Sequence, residues 1–82
     1  MLLQVKTYAG YIYLFDVNES DTIYNIMLKI EDMGGPEIEK QKIIWAGKYL
    51  EPQKTCKYYN IQDDDTIYLA IKKNNYIINL DI

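Results

Sequence analysis

Apolar and polar residues alternate in the first two segments of the chain, which predicts an N-terminal β-hairpin. The segments are residues 2–7 and 11–17, and the short linker Tyr8-Ala9-Gly10 joins them. Alternation assigns one set of side chains to the core face of the sheet, namely Met1, Leu3, Val5, Tyr13, Phe15 and Val17. The apolar residues Leu2, Ile12 and Leu14 are therefore expected on the outer face, among polar neighbours.

The next segment repeats apolar residues with the period of an amphipathic helix. The residues on this stripe are Ile23, Ile26, Met27 and Ile30. Thr22 precedes them and is a good N-cap. The sequence Gly34-Gly35-Pro36 stops the helix, because Gly adopts the left-handed conformation and Pro cannot continue the helix. We therefore predict a helix over roughly residues 23–33.

The second half of the chain predicts a short hairpin, a turn-rich stretch and a long strand. The hairpin spans residues 42–50 with its turn at Gly47, the turn-rich stretch spans residues 51–65, and the strand spans residues 66–71. The side chains expected to face the core are Ile43, Trp45, Leu50, Cys56, Tyr59, Ile61, Ile67, Leu69 and Ile71. Those expected on the outer face of the last strand are Thr66, Tyr68 and Ala70. The run Asp63-Asp64-Asp65 is interpreted as a solvated turn.

Composition narrows the classes of function. The 82 residues fit one small domain, and a single Cys with no His excludes an internal disulfide, a structural zinc site and a His-based catalytic centre. We expect no enzyme activity, no cofactor and no metal. A net charge of −3 argues against nucleic acid as a partner, and no apolar run is long enough to span a membrane. With no signal-peptide pattern, a cytoplasmic or nuclear location is expected.

Several runs along the chain resemble the ubiquitin family in ungapped register. They are Met1…Val5-Lys6-Thr7…Gly10, Ser20-Asp21-Thr22-Ile23…Asn25, Lys29-Ile30, Asp32, Gln41…Ile44…Ala46-Gly47-Lys48…Leu50-Glu51, Thr55, Tyr59-Asn60-Ile61-Gln62 and Thr66…Leu69. The resemblance implies an α+β fold of the β-grasp type, in which a mixed sheet curls around one helix. It divides the chain into a ubiquitin-like domain at residues 1–73 and a C-terminal tail at residues 74–82.

The resemblance also implies a protein-binding surface on the outer sheet face around an exposed Ile. The matching positions are Tyr8, Ile44, Gly47, Tyr68 and Ala70, with Lys6, Lys42, Lys48 and Lys72 as a basic rim. Tyr8, Tyr68 and Ala70 replace the Leu, His and Val usual in the family, so the patch is more aromatic. The implied partners are helical ubiquitin receptors, proteasomal subunits or ubiquitin-pathway enzymes. The alternative is that these residues are scattered surface apolar groups without a partner.

The family's conjugation features are only partly present. Family members that are attached to substrates end in a pair of Gly, and the matching positions here are Asn75 and Tyr76. Because Gly47 is the last Gly, we expect no conjugation through the C-terminus. Lys6, Lys29 and Lys48 fall where the family carries chain-linking lysines, so they are acceptor candidates, and the alternative is that they are ordinary solvated lysines.

The tail after Lys73 has a strand-like pattern of its own. Asn74-Asn75 is a turn signal, and residues 76–82 then alternate, with Tyr76, Ile78, Leu80 and Ile82 on one apolar face. Three outcomes are open. The tail covers Leu2, Ile12 and Leu14 or pairs with the second strand, it pairs with another molecule, or it is a disordered end. Pairing between molecules gives a second functional hypothesis, a self-associating or decoy protein that uses residues 76–82 to oligomerise or to cover its own binding face.

Overall fold

Six strands and one α-helix make up the part of the chain that the computed structural model describes, residues 1–73 and 76–78. In chain order the elements are β1 (Leu2–Thr7), β2 (Ile12–Asp16), α1 (Ile23–Asp32), a short 3-10 helix (Ile38–Lys40), β3 (Gln41–Trp45), β4 (Lys48–Tyr49), β5 (Asp65–Lys73) and β6 (Tyr76–Ile78). The bounds of β1 coincide with the predicted strand, whereas β2 is one residue shorter at each end than predicted.

The strands form one mixed sheet in the order β2-β1-β5-β3-β4, with β6 also paired to β5. The pairing of β1 with β5 is parallel, and every other strand pairing among the described residues is antiparallel. Side chains of α1 share one buried cluster with side chains from the sheet. A mixed sheet packed on one helix is the β-grasp arrangement, so the predicted fold class is confirmed.

The helix forms where its sequence pattern predicts it. Thr22 is the N-cap, and its Oγ1 accepts a hydrogen bond from the backbone N–H of Asn25 at 3.1 Å. The four apolar residues of the predicted stripe are all buried, and Met33 is the C-cap. Gly34 follows at a φ of +88°, the left-handed conformation that ends the helix. Within residues 1–73 and 76–78, no helix is long and apolar enough to cross a membrane.

The core contains nearly all of the side chains that alternation predicts to face it. The fully or almost fully buried apolar residues are Leu3, Val5, Phe15, Val17, Ile23, Ile26, Met27, Ile30, Ile43, Leu50, Cys56, Ile61, Ile67, Leu69 and Ala70. Met1, Tyr13, Trp45 and Tyr59 are only partly buried and pack against this cluster. Ile71, predicted to face the core, is half-buried. The core therefore confirms the inward faces of β1, β2, β3 and β5, although Tyr13, Trp45 and Ile71 are only partly buried.

A buried glutamine joins α1 and the segment after it to the sheet. The side-chain amide of Gln41 donates to the carbonyl of Met27 at 3.0 Å and to the carbonyl of Pro36 at 2.8 Å. These bonds tie β3 to the middle of α1 and to the segment that follows the helix. Among the described residues, the polar residue that is buried is Gln41. Sequence alternation does not reveal this role, because Gln41 precedes the apolar run of β3.

The acidic run before β5 has a structural role that the solvated-turn interpretation misses. Asp63 accepts a hydrogen bond from the backbone N–H of Leu2, and Asp64 accepts one from the side chain of Gln4 at 3.1 Å. Asp65 accepts from the backbone N–H of Gln62 at 2.7 Å. The first two bonds fasten the loop to β1 from a distant part of the sequence. Asp63 and Asp64 are exposed in a turn, so the predicted solvated turn is confirmed for them, and it also holds the loop to β1.

The described part of the tail pairs with β5 and not with β2. The register of β6 places Ile78 opposite Ile71 and Tyr76 opposite Lys73. Ile71 is also paired with Gln41 of β3, so β6 lies on the other side of β5, which β1 occupies as far as Thr7. Pairing with the second strand is therefore wrong for residues 76–78. The predicted turn at residues 74–75 and the predicted strand positions 79–82 lie outside the described residues.

The outer patch that the tail was expected to cover is exposed. Leu2, Ile12 and Leu14 retain 40%, 54% and 56% of their accessible surface. In the register of the hairpin, Leu14 lies opposite Gln4 and Ile12 lies opposite Lys6. These apolar side chains therefore stand on the outer face of β1 and β2 without a covering segment from the described residues.

The Tyr59 hydroxyl accepts a hydrogen bond from the backbone N–H of Glu51 at 2.8 Å. We expect Tyr59→Phe to lower the free energy of unfolding by about 1 kcal/mol, because it removes this bond while keeping the ring. Tyr58→Phe is the matched control: its ring is exposed, and its hydroxyl has no hydrogen bond among the described residues, so the expected change is within about 0.5 kcal/mol. Urea unfolding followed by Trp45 fluorescence measures both, and equal losses would contradict the prediction.

Candidate protein-interaction face

The sheet register lines up four partly or fully exposed side chains across the outer face. Lys6 of β1 lies opposite Tyr68 of β5, Tyr68 lies opposite Ile44 of β3, and Ile44 lies opposite Tyr49 of β4. Opposite residues in paired strands share a face, and their Cα atoms are about 5 Å apart. The buried neighbours along each strand, such as Ile43, point to the other face. We call Lys6, Tyr68, Ile44 and Tyr49 the outer row.

The outer row combines apolar area, hydroxyl groups and one charge. Ile44 and Tyr68 in its middle are half-buried, whereas Lys6 and Tyr49 at its ends are exposed, Tyr49 by 49%. Tyrosines supply large contact area and a polar tip with few rotatable bonds, which is why they are enriched at protein interfaces. The arrangement suits contact with another protein.

Sequence reasoning missed Tyr49, and the turn between β3 and β4 explains its position. Ala46 and Gly47 both have positive φ, +53° and +79°, which is the backbone of a two-residue type I′ hairpin turn. Such a turn pairs the residues immediately before and after it, so Trp45 lies opposite Lys48 and Ile44 opposite Tyr49. The sequence predicts the turn at Gly47 but not its length, and it is the two-residue length that places Tyr49 opposite Ile44.

The structure removes Ala70 from the predicted patch, because Ala70 has no accessible surface. It lies opposite Lys42 on β3, and Tyr68 and Lys72 are its neighbours two residues away on the same face of β5. A single methyl group is shorter than these three side chains, so it lies below them. Lys42 and Lys72 are half-buried. The prediction that Ala70 contributes exposed contact area is therefore wrong.

The structure also separates Lys48 from the other predicted rim lysines. Lys48 lies opposite Trp45, and both therefore point to the face of the sheet away from Ile44. The Lys48 Nζ atom is 5.6 Å from the centre of the Tyr59 ring, close enough for a cation–π contact. Lys48 is exposed and accessible, but the register does not place it beside the outer row. The predicted basic rim consequently reduces to Lys6, Lys42 and Lys72.

Two remaining positions of the predicted patch lie in turns beside the sheet. Gly47 is exposed in the turn between β3 and β4, and Tyr8 is 52% exposed in the turn between β1 and β2. Lys29, an acceptor candidate, is exposed on α1, which packs on the inner face of the sheet. Lys29 is therefore on the opposite side of the domain from the outer row, while Lys6 is within it.

Cys56 is a core residue in the structure. Burial raises the pKa of its thiol, and the nearby negative charge of Asp21 raises that pKa further. Both effects disfavour the thiolate, the nucleophilic form of cysteine. Among residues 1–73 and 76–78, no cluster of acidic or Cys side chains has the geometry of a metal site.

The sequence model of the Ubiquitin family matches residues 3–74 of this chain. The chain belongs to the ubiquitin family. The match spans α1 and strands β1 to β5 and ends two residues before β6 begins. The family domain therefore contains the whole outer row, and β6 is an addition to it.

The relatives of this ubiquitin-family chain include one protein of similar length and two much longer proteins. Ubiquitin-like protein 1 of Schizosaccharomyces pombe is 27% identical over 71 residues, which cover 87% of this chain and 91% of that protein. The 2'-5'-oligoadenylate synthase-like protein 2 of Mus musculus is 38% identical over 84% of this chain, and the UV excision repair protein RAD23 homolog of Dictyostelium discoideum is 33% identical over 89%. The chain spans only 14% and 21% of the lengths of these last two proteins.

Proposed function

We propose that this ubiquitin-family chain is a protein-interaction module that is not conjugated to substrates. In this proposal the outer row binds helical ubiquitin receptors, proteasomal subunits or ubiquitin-pathway enzymes. The observation that carries it is the alignment of Lys6, Tyr68, Ile44 and Tyr49 in one register row on four strands. Its similarity to small parts of two much longer proteins supports a role as a module.

The size of the outer row fits one helix of a partner. Four neighbouring strands are spaced about 4.8 Å apart, so the row is about 14 Å wide, slightly more than the diameter of an α-helix with its side chains. An apolar helical face would pack on Ile44 and the two tyrosines. An acidic residue at the edge of that helix would approach Lys6, Lys42 or Lys72. Because one helix buries little area, we expect weak binding, with a Kd in the micromolar range or higher.

An NMR titration tests the proposed face. The isotopically labelled chain is titrated with a helical ubiquitin-associated domain, and the amide signals of Lys6, Ile44, Tyr49 and Tyr68 are expected to shift saturably. The amide of Lys29 on α1 is the internal control and is expected to stay in place. A folded spectrum without shifts in the outer row would contradict the proposed face.

The tail supports the second part of the proposal, that the chain is not conjugated. The family's paired Gly positions hold Asn75 and Tyr76, and Tyr76 begins a strand that pairs antiparallel with β5. Enzymes that join such tails to substrates must thread an extended, unbranched backbone through a narrow cleft. A chain that turns back along β5 and carries side chains at both positions fits such a cleft poorly.

Self-association through residues 76–82 stays a prediction. The described residues 76–78 pair with β5 of their own chain, and residues 79–82 lie outside the described part. For the proposed partners we expect a cytoplasmic or nuclear location.

A further inference from the structure

The open edge of β2 presents unpaired backbone groups in a regular pattern. Met1 and Val17 exchange two backbone hydrogen bonds, of 2.8 and 2.9 Å, at one end of the hairpin. Hydrogen-bonded and non-hydrogen-bonded pairs alternate along an antiparallel ladder. The pairs that contain Ile12, Leu14 and Asp16 are consequently non-hydrogen-bonded. The N–H and C=O groups of these three residues therefore point away from β1, toward the edge.

The two strands at the ends of the order β2-β1-β5-β3-β4 differ in how well their edges are protected. Proteins usually protect an edge strand by making it short, by placing Lys or Pro on it, or by covering it. The edge strand β4 has two residues, one of them Lys48. The edge strand β2 has five residues without Lys or Pro, and Leu14 at its centre is more than half exposed. Among the described strands, only β1 pairs with β2.

We propose that two copies of this chain associate through their β2 strands, which pair antiparallel around a twofold axis at Leu14. In this register Leu14 lies opposite Leu14 of the second copy, and Ile12 lies opposite Asp16 of the second copy. The backbone N–H and C=O groups of all three residues point away from β1 toward the edge. Each of these N–H groups therefore meets a C=O group of the second copy. The result is one continuous sheet that runs through both copies.

The side chains complement each other in the same register. Leu14 contacts its symmetry mate on the outer face, and the apolar patch of Leu2, Ile12 and Leu14 continues into the second copy. Asp16 of the second copy lies opposite Ile12, and Lys6 of β1 is the next residue in that row. Two strand spacings separate Asp16 of the second copy from Lys6, about 10 Å between Cα atoms, which a lysine side chain can span. No like charges face each other, and this self-complementarity favours a second copy over an unrelated strand.

Sedimentation equilibrium of the full chain tests the association. Over a series from about 10 µM to about 1 mM, the range of weak interfaces, the mass is expected to rise from 9.7 kDa toward twice that value. Leu14→Lys and Leu14→Glu each place like charges on the axis, so each variant is expected to stay at the monomer mass. Tyr24→Lys changes an exposed residue of α1, outside both the outer row and β2, and is expected to dimerise like the unaltered chain.

Mixing the two charge variants gives the sharpest result. Since residue 14 meets its own symmetry mate, an equimolar mixture of Leu14→Lys and Leu14→Glu is expected to regain the dimer mass. In the unaltered chain, amide exchange of Ile12, Leu14 and Asp16 is expected to slow with rising concentration, while exchange of Tyr13 and Phe15 stays constant. A monomer at every concentration, a mixture that stays monomeric, or equal loss of the dimer with Tyr24→Lys would overturn the proposal.

Discussion

Ile44→Ala is expected to weaken the binding of a helical receptor domain by about thirtyfold, the effect of losing an interface residue worth about 2 kcal/mol. Ile44 lies between Tyr68 and Tyr49 in the outer row, so its side chain occupies the centre of the proposed contact. For a complex that is already weak, a loss of this size removes the titration shifts at accessible concentrations. The NMR titration of the variant measures it directly.

The fold of the Ile44→Ala variant is expected to persist, because Ile44 is half-buried on the outer face and is not part of the buried core cluster. Leu2→Ala is the matched control. Leu2 is an exposed apolar residue at the far end of β1, and its loss is expected to leave binding unchanged. Equal weakening by both variants, or a collapsed spectrum for Ile44→Ala, would show that the outer row is not the binding face.

Incubation of the full chain with a ubiquitin-activating enzyme and ATP is expected to give no thioester adduct. The expected effect is complete, because Asn75 and Tyr76 place side chains where the family's conjugated members have two glycines. In addition, β6 holds the backbone of residues 76–78 against β5. Gel electrophoresis without and with added thiol detects a thioester, because an added thiol accepts the acyl group and releases the chain from the enzyme's cysteine.

A double variant isolates the contribution of the tail in this assay. It carries Asn75→Gly and Tyr76→Gly and ends at position 76, while the rest of the domain is unaltered. An adduct with this variant alone would locate the block within residues 75–82. An adduct with the unaltered chain would contradict the proposal that the protein is not conjugated.

Local features of the fold were predictable because the residues that determine them are adjacent in sequence. Thr22 caps the helix and Gly34 ends it through contacts with their nearest neighbours along the chain. The alternation of Leu3 and Val5 fixes the inward face of β1 without knowledge of any other strand. The long strand β5 was predictable for the same reason.

Features that depend on pairing between distant strands were not predictable from pattern alone. Lys48 points away from Ile44 because a two-residue turn sets the register of β3 and β4. Ala70 is buried because longer side chains surround it, including Lys42 on another strand. The tail pattern predicts a strand equally well beside β2 or β5, since alternation carries no information about the neighbour.

The burial of Cys56 makes the protein convenient for site-directed labelling. It is the single cysteine of the sequence, it lies in the core, and its raised pKa keeps the thiol protonated and slow to react. A cysteine introduced on the surface would therefore react selectively with a fluorophore or spin label in the native protein, without removal of the natural one. Distances between such labels, on β2 for instance, would report directly on how two molecules are arranged.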